Sequence, residues 1–196
     1  MPATKLILAA VLGGLAMFIW GGLTHMALPI YNGALQKFTN DDAVTQAILA
    51  NASTSGTYFL PYEPSIPAGT SEEEKLDAQK AFEERTQRGP QMFAFIRIGE
   101  FGSFPAKLLG ELLSDILAVS LLGWLGLRLG VSSMNNRLIA ATAIGLIVIL
   151  SDTMSQWNWY SAGFAFTLAE TVDQVGGWFV AGLVMAKILP ASQASP

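Results

Sequence analysis

Five carboxylic acids lie inside otherwise apolar stretches of this chain, and they are its main candidates for chemistry. Glu111 and Asp115 are four residues apart, and Glu170 and Asp173 are three residues apart, so each pair occupies one face of a helix. Asp152 stands in a third apolar stretch. A carboxylate inside a bilayer costs about 3 kcal/mol unless it is paired or faces a polar cavity. We therefore expect these acids to face a bundle interior, with at least one of them protonated near neutral pH.

Three interpretations of this acidic layer remain open. The acids could be structural groups that hydrogen-bond to nearby hydroxyl and amide side chains, or they could form a proton- or cation-binding site. They could also line a polar groove that receives a lipid head group or a partner helix. Lys107 is the only nearby cation on its stretch. Oxygen ligands alone would suit Mg²⁺, Ca²⁺ or Mn²⁺, but no motif supports a metal site.

His25 is the only histidine, and it follows two glycines near the end of the first apolar stretch. A neutral imidazole there could ligate the iron of haem or the magnesium of a pigment, although a lone histidine at an interface is more often a hydrogen-bonded structural residue. The sequence contains no nucleophile and base pair, no glycine-rich phosphate loop and no zinc spacing. We therefore predict that the protein is not an enzyme.

The composition is that of a membrane protein. Hydrophobic residues make up 52% of the 196 residues and charged residues only 13%, with a mean hydropathy of +0.43, whereas globular domains carry about 25% charged residues. The net charge of −4 argues against nucleic acid as a partner. The chain has no cysteine, which excludes disulfides and thiolate metal sites.

The hydropathy pattern predicts an all-α membrane protein with four transmembrane helices and a small α+β cap between helices 1 and 2. Each apolar stretch is long enough to cross about 30 Å of hydrocarbon. Trp157, Trp159 and Tyr160 suit a lipid and water boundary. The predicted segments are helix 1 at 5–31, an external cap at 32–103, helix 2 at 104–129, helix 3 at 138–160, helix 4 at 163–189 and a disordered tail at 190–196.

The cap contains local signals for two helices and a pair of strands. Asn40 is suited to cap a helix that runs to about Ala50. The stretch "SEEE" is a capping box, in which Ser71 and Glu74 satisfy each other's backbone donors, and its helix should stop at "RGP". The stretch "MFAFIRI" reads as a strand that pairs with residues 57–60.

Four basic residues define the expected orientation, and they are Lys5, Arg128, Arg137 and Lys187. They flank the short loops and termini on one side of the predicted bundle, which the positive-inside rule makes cytoplasmic. Both termini would then be inside, with residues 32–103 outside. All five acids would lie in the outer half of the bundle, the two pairs at roughly 10 to 16 Å from its outer ends.

Short aromatic and glycine patterns, "LGGLAMFIWGGLTHMALP", "SGTYFLP", "RGP" and "WNWYSAGF", carry a family resemblance. The chain resembles a family of uncharacterised small bacterial membrane proteins with four helices and one large external loop. The resemblance implies a multi-pass protein of the bacterial inner membrane, and it assigns no functional residue.

Two function classes follow from these observations. The first is an accessory or structural subunit of a larger membrane complex, for example an energy-transducing one. Its expected partners are other membrane subunits and lipids, with bound lipid as the expected ligand. The second is a small transporter or a proton- or cation-binding protein that uses the acidic layer.

Overall fold

The structure is a computed structural model that describes residues 3–131 and 133–189, and this part of the chain is mostly helical. In chain order the elements are α1 (Ala3–Met26), a 3₁₀ turn (Pro29–Tyr31), α2 (Asp41–Asn51), β1 (Gly56–Leu60), α3 (Glu72–Arg88), β2 (Met92–Ile96), α4 (Phe104–Arg128), α5 (Met134–Val148), a π turn (Ile149–Thr153), α6 (Met154–Tyr160) and α7 (Phe164–Ile188). Two compact units result, one from residues 37–101 and a helical unit from the remainder.

Three of the described helical segments are long and apolar enough to cross a membrane, judged by length and composition. They are Ala3–Met26, Phe104–Arg128 and the continuous run Met134–Tyr160. The helix α7 has 25 residues but is not among them, because Glu170, Asp173 and Gln174 interrupt its apolar sequence. These helices are therefore compatible with a membrane protein, but they give three candidate spans and not the four that we predicted.

The long helices pack in the spatial order α4, α1, α7, α5, because α1 contacts both α4 and α7, and α7 also contacts α5. Their shared core includes Ala9, Val119, Ala141, Trp178 and Ala181. More residues are buried on α7 than on any other described helix. A helix shielded by neighbours on two sides can carry polar side chains at a lower cost than a helix that faces lipid.

Two predicted helix ends are wrong. The first helix ends at Met26 and not at residue 31, because Pro29 has no backbone N–H and disfavours helical geometry in the residue before it. The third helix begins at Met134 and not at 138, and its N-cap Ser133 accepts a hydrogen bond from the backbone N–H of Asn136. The predicted tail at 190–196 lies outside the described residues.

The unit of residues 37–101 contains the elements that its local signals predict. Strands β1 and β2 are antiparallel, and Thr57 pairs with Phe95. The Asn40 side chain caps α2. The capping box of Ser71 and Glu74 opens α3, and the Ser71 hydroxyl and backbone N–H both donate to the Glu74 carboxylate, which holds the pKa of that group below its usual value.

The unit of residues 37–101 has very few buried residues. Neither α2 nor α3 contains a buried residue, and within residues 37–101, all of which are described, only Ala52 and Pro61 are buried. The predicted elements are therefore present, but they do not share a hydrophobic core of their own.

The four basic residues of the orientation argument lie at the same end of the helical unit. Lys5 is at the start of α1, Arg128 closes α4, Arg137 is in the first turn of α5, and Lys187 is in the last turn of α7. Buried Arg137 donates hydrogen bonds to the backbone oxygens of Val131 and Leu189, which joins the start of α5 to the end of α7.

Candidate functional site

A groove of about 680 Å³ lies between α1, α4 and α7. Four of the five predicted acids line it, two from α4 and two from α7, together with His25 from α1. The groove is also lined by apolar and small residues and one amide, which are Met17, Phe18, Trp20, Gly21, Gly22, Met26, Phe104, Leu108, Gln174 and Gly177. No lysine or arginine is among these described lining residues. The groove is therefore an acidic site with largely apolar walls.

Asp173 is the most deeply placed acid of the groove and is 8% exposed. Its carboxylate accepts a hydrogen bond from the hydroxyl of Thr24, which is fully buried. Its backbone oxygen accepts a second bond, 3.0 Å long, from the indole N–H of Trp20. Gly176 makes room for that indole, because a Cβ atom there would lie 2.5 Å from the Trp20 ring. These contacts tie α7 to α1.

His25 lies beside the same carboxylate, with its Nδ1 atom 3.9 Å from Oδ2 of Asp173. The same nitrogen is 3.0 Å from the carbonyl oxygen of Gly21 and 3.3 Å from the hydroxyl of Thr24. Its ring centroid is 4.5 Å from that of Tyr31. Protonated His25 would place a positive charge at the edge of an otherwise acidic site. Its role as a haem or pigment ligand stays a prediction.

Tyr31 connects the 3₁₀ turn after α1 to the second acid of α7. Its hydroxyl donates a 2.8 Å hydrogen bond to Oε1 of Glu170. Partial burial and the hydrogen bond to Glu170 raise the pKa of the Tyr31 phenol above its usual value, so the hydroxyl remains a donor at physiological pH. Pro29 makes this contact possible, since it ends α1 and turns the chain back toward α7.

Glu111 and Asp115 occupy the α4 side of the groove, as their i,i+4 spacing predicts. Asp115 is partly buried and Glu111 is exposed at the groove surface. Within residues 3–131 and 133–189, no three His, Asp or Glu side chains lie close enough together to hold a metal ion.

Asp152 does not belong to the groove. It lies in the π turn, its side chain is exposed, and its Oδ2 atom accepts a 2.9 Å hydrogen bond from Gln156. A π turn holds one more residue than an α turn, so the residues after it are rotated by roughly 100° relative to a regular helix. The neighbouring Thr153 is buried instead. The structure therefore places four of the five acids on one groove, whereas Asp152, which we expected to join them, lies apart from it.

Sequence reasoning missed the hydroxyl partners of the acids. Thr24 and Tyr31 supply the hydrogen bonds to Asp173 and Glu170, and they come from a different helix and from a turn. The one local signal that they share is that both lie within five residues of Pro29, after which α1 does not continue.

Comparison of the chain with protein-family models, with curated proteins and with solved structures found no match. The resemblance to a family of four-helix bacterial membrane proteins therefore stays a prediction.

Proposed function

We propose that this chain is a non-enzymatic integral membrane protein that binds a proton or a cation in the groove between α1, α4 and α7. The observation that carries the proposal is the meeting of two acid pairs, from two helices, on one groove whose lining, among residues 3–131 and 133–189, includes no lysine or arginine. Carboxylates placed together in a medium of low polarity favour protonation of one member or capture of a cation. A protein of either the transporter or the proton-binding class would use such a site.

A purely structural role explains only half of the acids. Asp173 and Glu170 accept hydrogen bonds from groups on or next to α1, and these bonds serve helix packing. Glu111 and Asp115 line the α4 side of an open space of about 680 Å³. Helix packing alone does not require two further acids facing a space of that size.

The proposal includes a fourth membrane span and an orientation. With 25 residues, α7 is as long as α4, and its acids lie on the groove. The basic ends of the helices would face the cytoplasm of a bacterial inner membrane, with both termini inside. Residues 32–103 would then lie outside.

The test is a carboxyl infrared titration of the protein in phosphatidylcholine nanodiscs. We expect a carboxyl band that titrates well above pH 4, the ordinary range of an acid in water. Asp115→Asn should remove that band while the protein stays folded. Asp152→Asn is the matched control, since Asp152 is an acid of the same unit that lies outside the groove, and it should leave the band unchanged.

Two outcomes would refute the proposal. If every carboxyl of the protein titrates near pH 4, the groove acids behave as acids in water. If Asp152→Asn removes the band and Asp115→Asn does not, the titrating group lies elsewhere.

A second candidate, an accessory subunit of a larger membrane complex, is favoured by the β-hairpin. Its register places three phenylalanines on one face, namely Phe59, Phe93 and Phe95, with ring centroids 5.2 to 6.4 Å apart along the row. Phe95 is 80% exposed. A two-stranded sheet is marginal by itself, so a protein partner would stabilise it. Native mass spectrometry after mild extraction tests this candidate, and Phe95→Ser should reduce any co-migrating subunit.

A further inference from the structure

We infer that the ligand of the groove is an amphiphilic organic cation, a protonated amine attached to an apolar chain or ring. This inference rests on the proposed function, because it names the class of cation that the acidic groove receives. It adds that the apolar walls take part in binding.

The size of the groove is the first argument. Small-molecule sites commonly have volumes of about 300 to 1,000 Å³, and the groove has about 680 Å³. A single water molecule occupies about 30 Å³ of liquid volume, and a proton or a bare ion needs no more space than that. A space of this size is matched to a molecule of many atoms.

The lining of the groove combines acidic side chains with apolar ones, which is the second argument. The acids supply up to four negative charges, and the walls between them carry Phe18, Trp20, Phe104 and Leu108. An ammonium group would bind the carboxylates and the face of an aromatic ring, while its apolar part would replace lipid against the walls. A ligand whose only charged group is a phosphate or a carboxylate would be repelled by the same acids.

On the α1 side, the groove is lined by two glycines at positions where larger side chains would fit. Gly21 and Gly22 both line the groove, and a Cβ atom built on either would meet no atom within 4 Å. Helix packing therefore does not require glycine at these two positions. Their effect is to leave open space in the groove, and a leucine at either position has room to occupy it.

Two sources share this ligand chemistry, a free lipophilic amine and the ammonium head group of an aminolipid. The experiment uses tetradecylammonium that carries a photoreactive diazirine in its chain, added to the protein in phosphatidylcholine nanodiscs. The tetradecanol analogue with the same diazirine reports attraction to the apolar walls alone. Labelled peptides are mapped by mass spectrometry.

We expect the amine probe to label peptides of α1, α4 and α7 about tenfold more than the alcohol probe, the ratio that one charge-assisted hydrogen bond provides. Gly21→Leu or Gly22→Leu should reduce this labelling by a similar factor. Gly110→Leu is the matched control, because Gly110 also has no atom within 4 Å of a built Cβ but does not line the groove. Competition by phosphatidylethanolamine in the nanodisc identifies an aminolipid as the source, and its failure identifies a free amine.

Equal labelling by the amine and the alcohol would overturn the inference, and this comparison needs no variant that might misfold. Unchanged labelling in folded Gly21→Leu and Gly22→Leu would overturn it as well. The infrared titration separates this failure from that of the proposed function. If the band removed by Asp115→Asn is present but amine labelling is absent, the groove binds a proton or a small ion and only the further inference fails.

Discussion

Asp173 combines two roles at the scale of a single residue. Its carboxylate and its backbone oxygen both accept hydrogen bonds from α1, through Thr24 and Trp20, and its other carboxylate oxygen faces His25. Removing an acid that is hydrogen-bonded and buried also leaves its partners unsatisfied. Substitution of Asp173 would therefore mix a loss of helix packing with any loss of the proposed binding, and Asp115 is the better residue for a test of function.

Glu74 provides a prediction about pH outside the membrane spans. Its hydrogen bonds from the Ser71 hydroxyl and from the Ser71 backbone N–H lower its pKa in the folded protein. Because the pKa of Glu74 is lower in the folded protein, the capping box stabilises α3 fully at a pH above the pKa of glutamate in the unfolded chain, about 4.3. This stabilisation is lost as the pH falls through the lower pKa of the folded protein. An NMR titration of the carboxyl carbon should show a midpoint lower than that of an ordinary exposed glutamate.

Ser71→Ala should move the midpoint of Glu74 back toward its ordinary range, since the side-chain hydrogen bond is the larger of the two causes. Thr70→Ala, one residue earlier, is the control, because the Thr70 hydroxyl bonds to the Pro67 carbonyl and not to Glu74. A midpoint of Glu74 that is the same in Ser71→Ala as in the unaltered protein would contradict the prediction.

The contacts of a residue could be predicted from the sequence where its partners are close in the chain. Glu111 and Asp115 share one helix face because of their spacing, and the Ser71 and Glu74 box lies within one turn. The exposed position of Asp152 was not predictable, because the stretch "VILSDTMS" contains no residue pattern that indicates a π turn. Thr24 was missed as well, because its partner is 149 positions away.

At the scale of elements, glycine determines how closely the helices approach. A Cβ atom at Gly14 would lie 2.6 Å from Cα and 2.7 Å from the backbone nitrogen of Ile116. Backbone atoms cannot move aside as a flexible side chain can, so α1 and α4 would have to separate. The groove between α1, α4 and α7 depends on that close approach.

Gly14→Ala should therefore destabilise the helical unit by about 1 to 3 kcal/mol, the usual cost of overpacking. Gly22→Ala is the matched control on the same helix, since nothing lies within 4 Å of its built Cβ, and it should leave stability nearly unchanged. Denaturant unfolding in detergent micelles measures the difference. Equal unfolding midpoints for the two variants would show that α1 and α4 are not packed this closely.

Local rules account for the helices and strands but not for their spatial order. Hydropathy and capping signals predicted α2, α3 and the hairpin, because each depends on neighbours in the sequence. The order α4, α1, α7, α5 depends on side-chain contacts between distant segments. The sequence contains no local sign that α7 is an inner helix, because α4, at the end of this order, also carries two acids, Glu111 and Asp115.

The distribution of charge is the property of the whole molecule that bears on orientation. The basic residues Lys5, Arg128, Arg137 and Lys187 lie at one end of the helical unit. Residues 37–101, by contrast, carry ten acids and six bases. Arg137 is also bonded within the protein, so the bias would depend most on the other three.

This distribution predicts which positions are accessible from each side of the membrane. The chain contains no cysteine, so a single introduced cysteine is the only thiol that can react. In intact cells, a membrane-impermeant maleimide should label Lys75→Cys and should leave Met134→Cys, at the first residue of α5, unlabelled. After permeabilisation both should react, which controls for burial of either thiol. Labelling of Met134→Cys but not of Lys75→Cys in intact cells would reverse the orientation. Labelling of both would mean that the two positions lie on the same side, and that the number of spans between them is even.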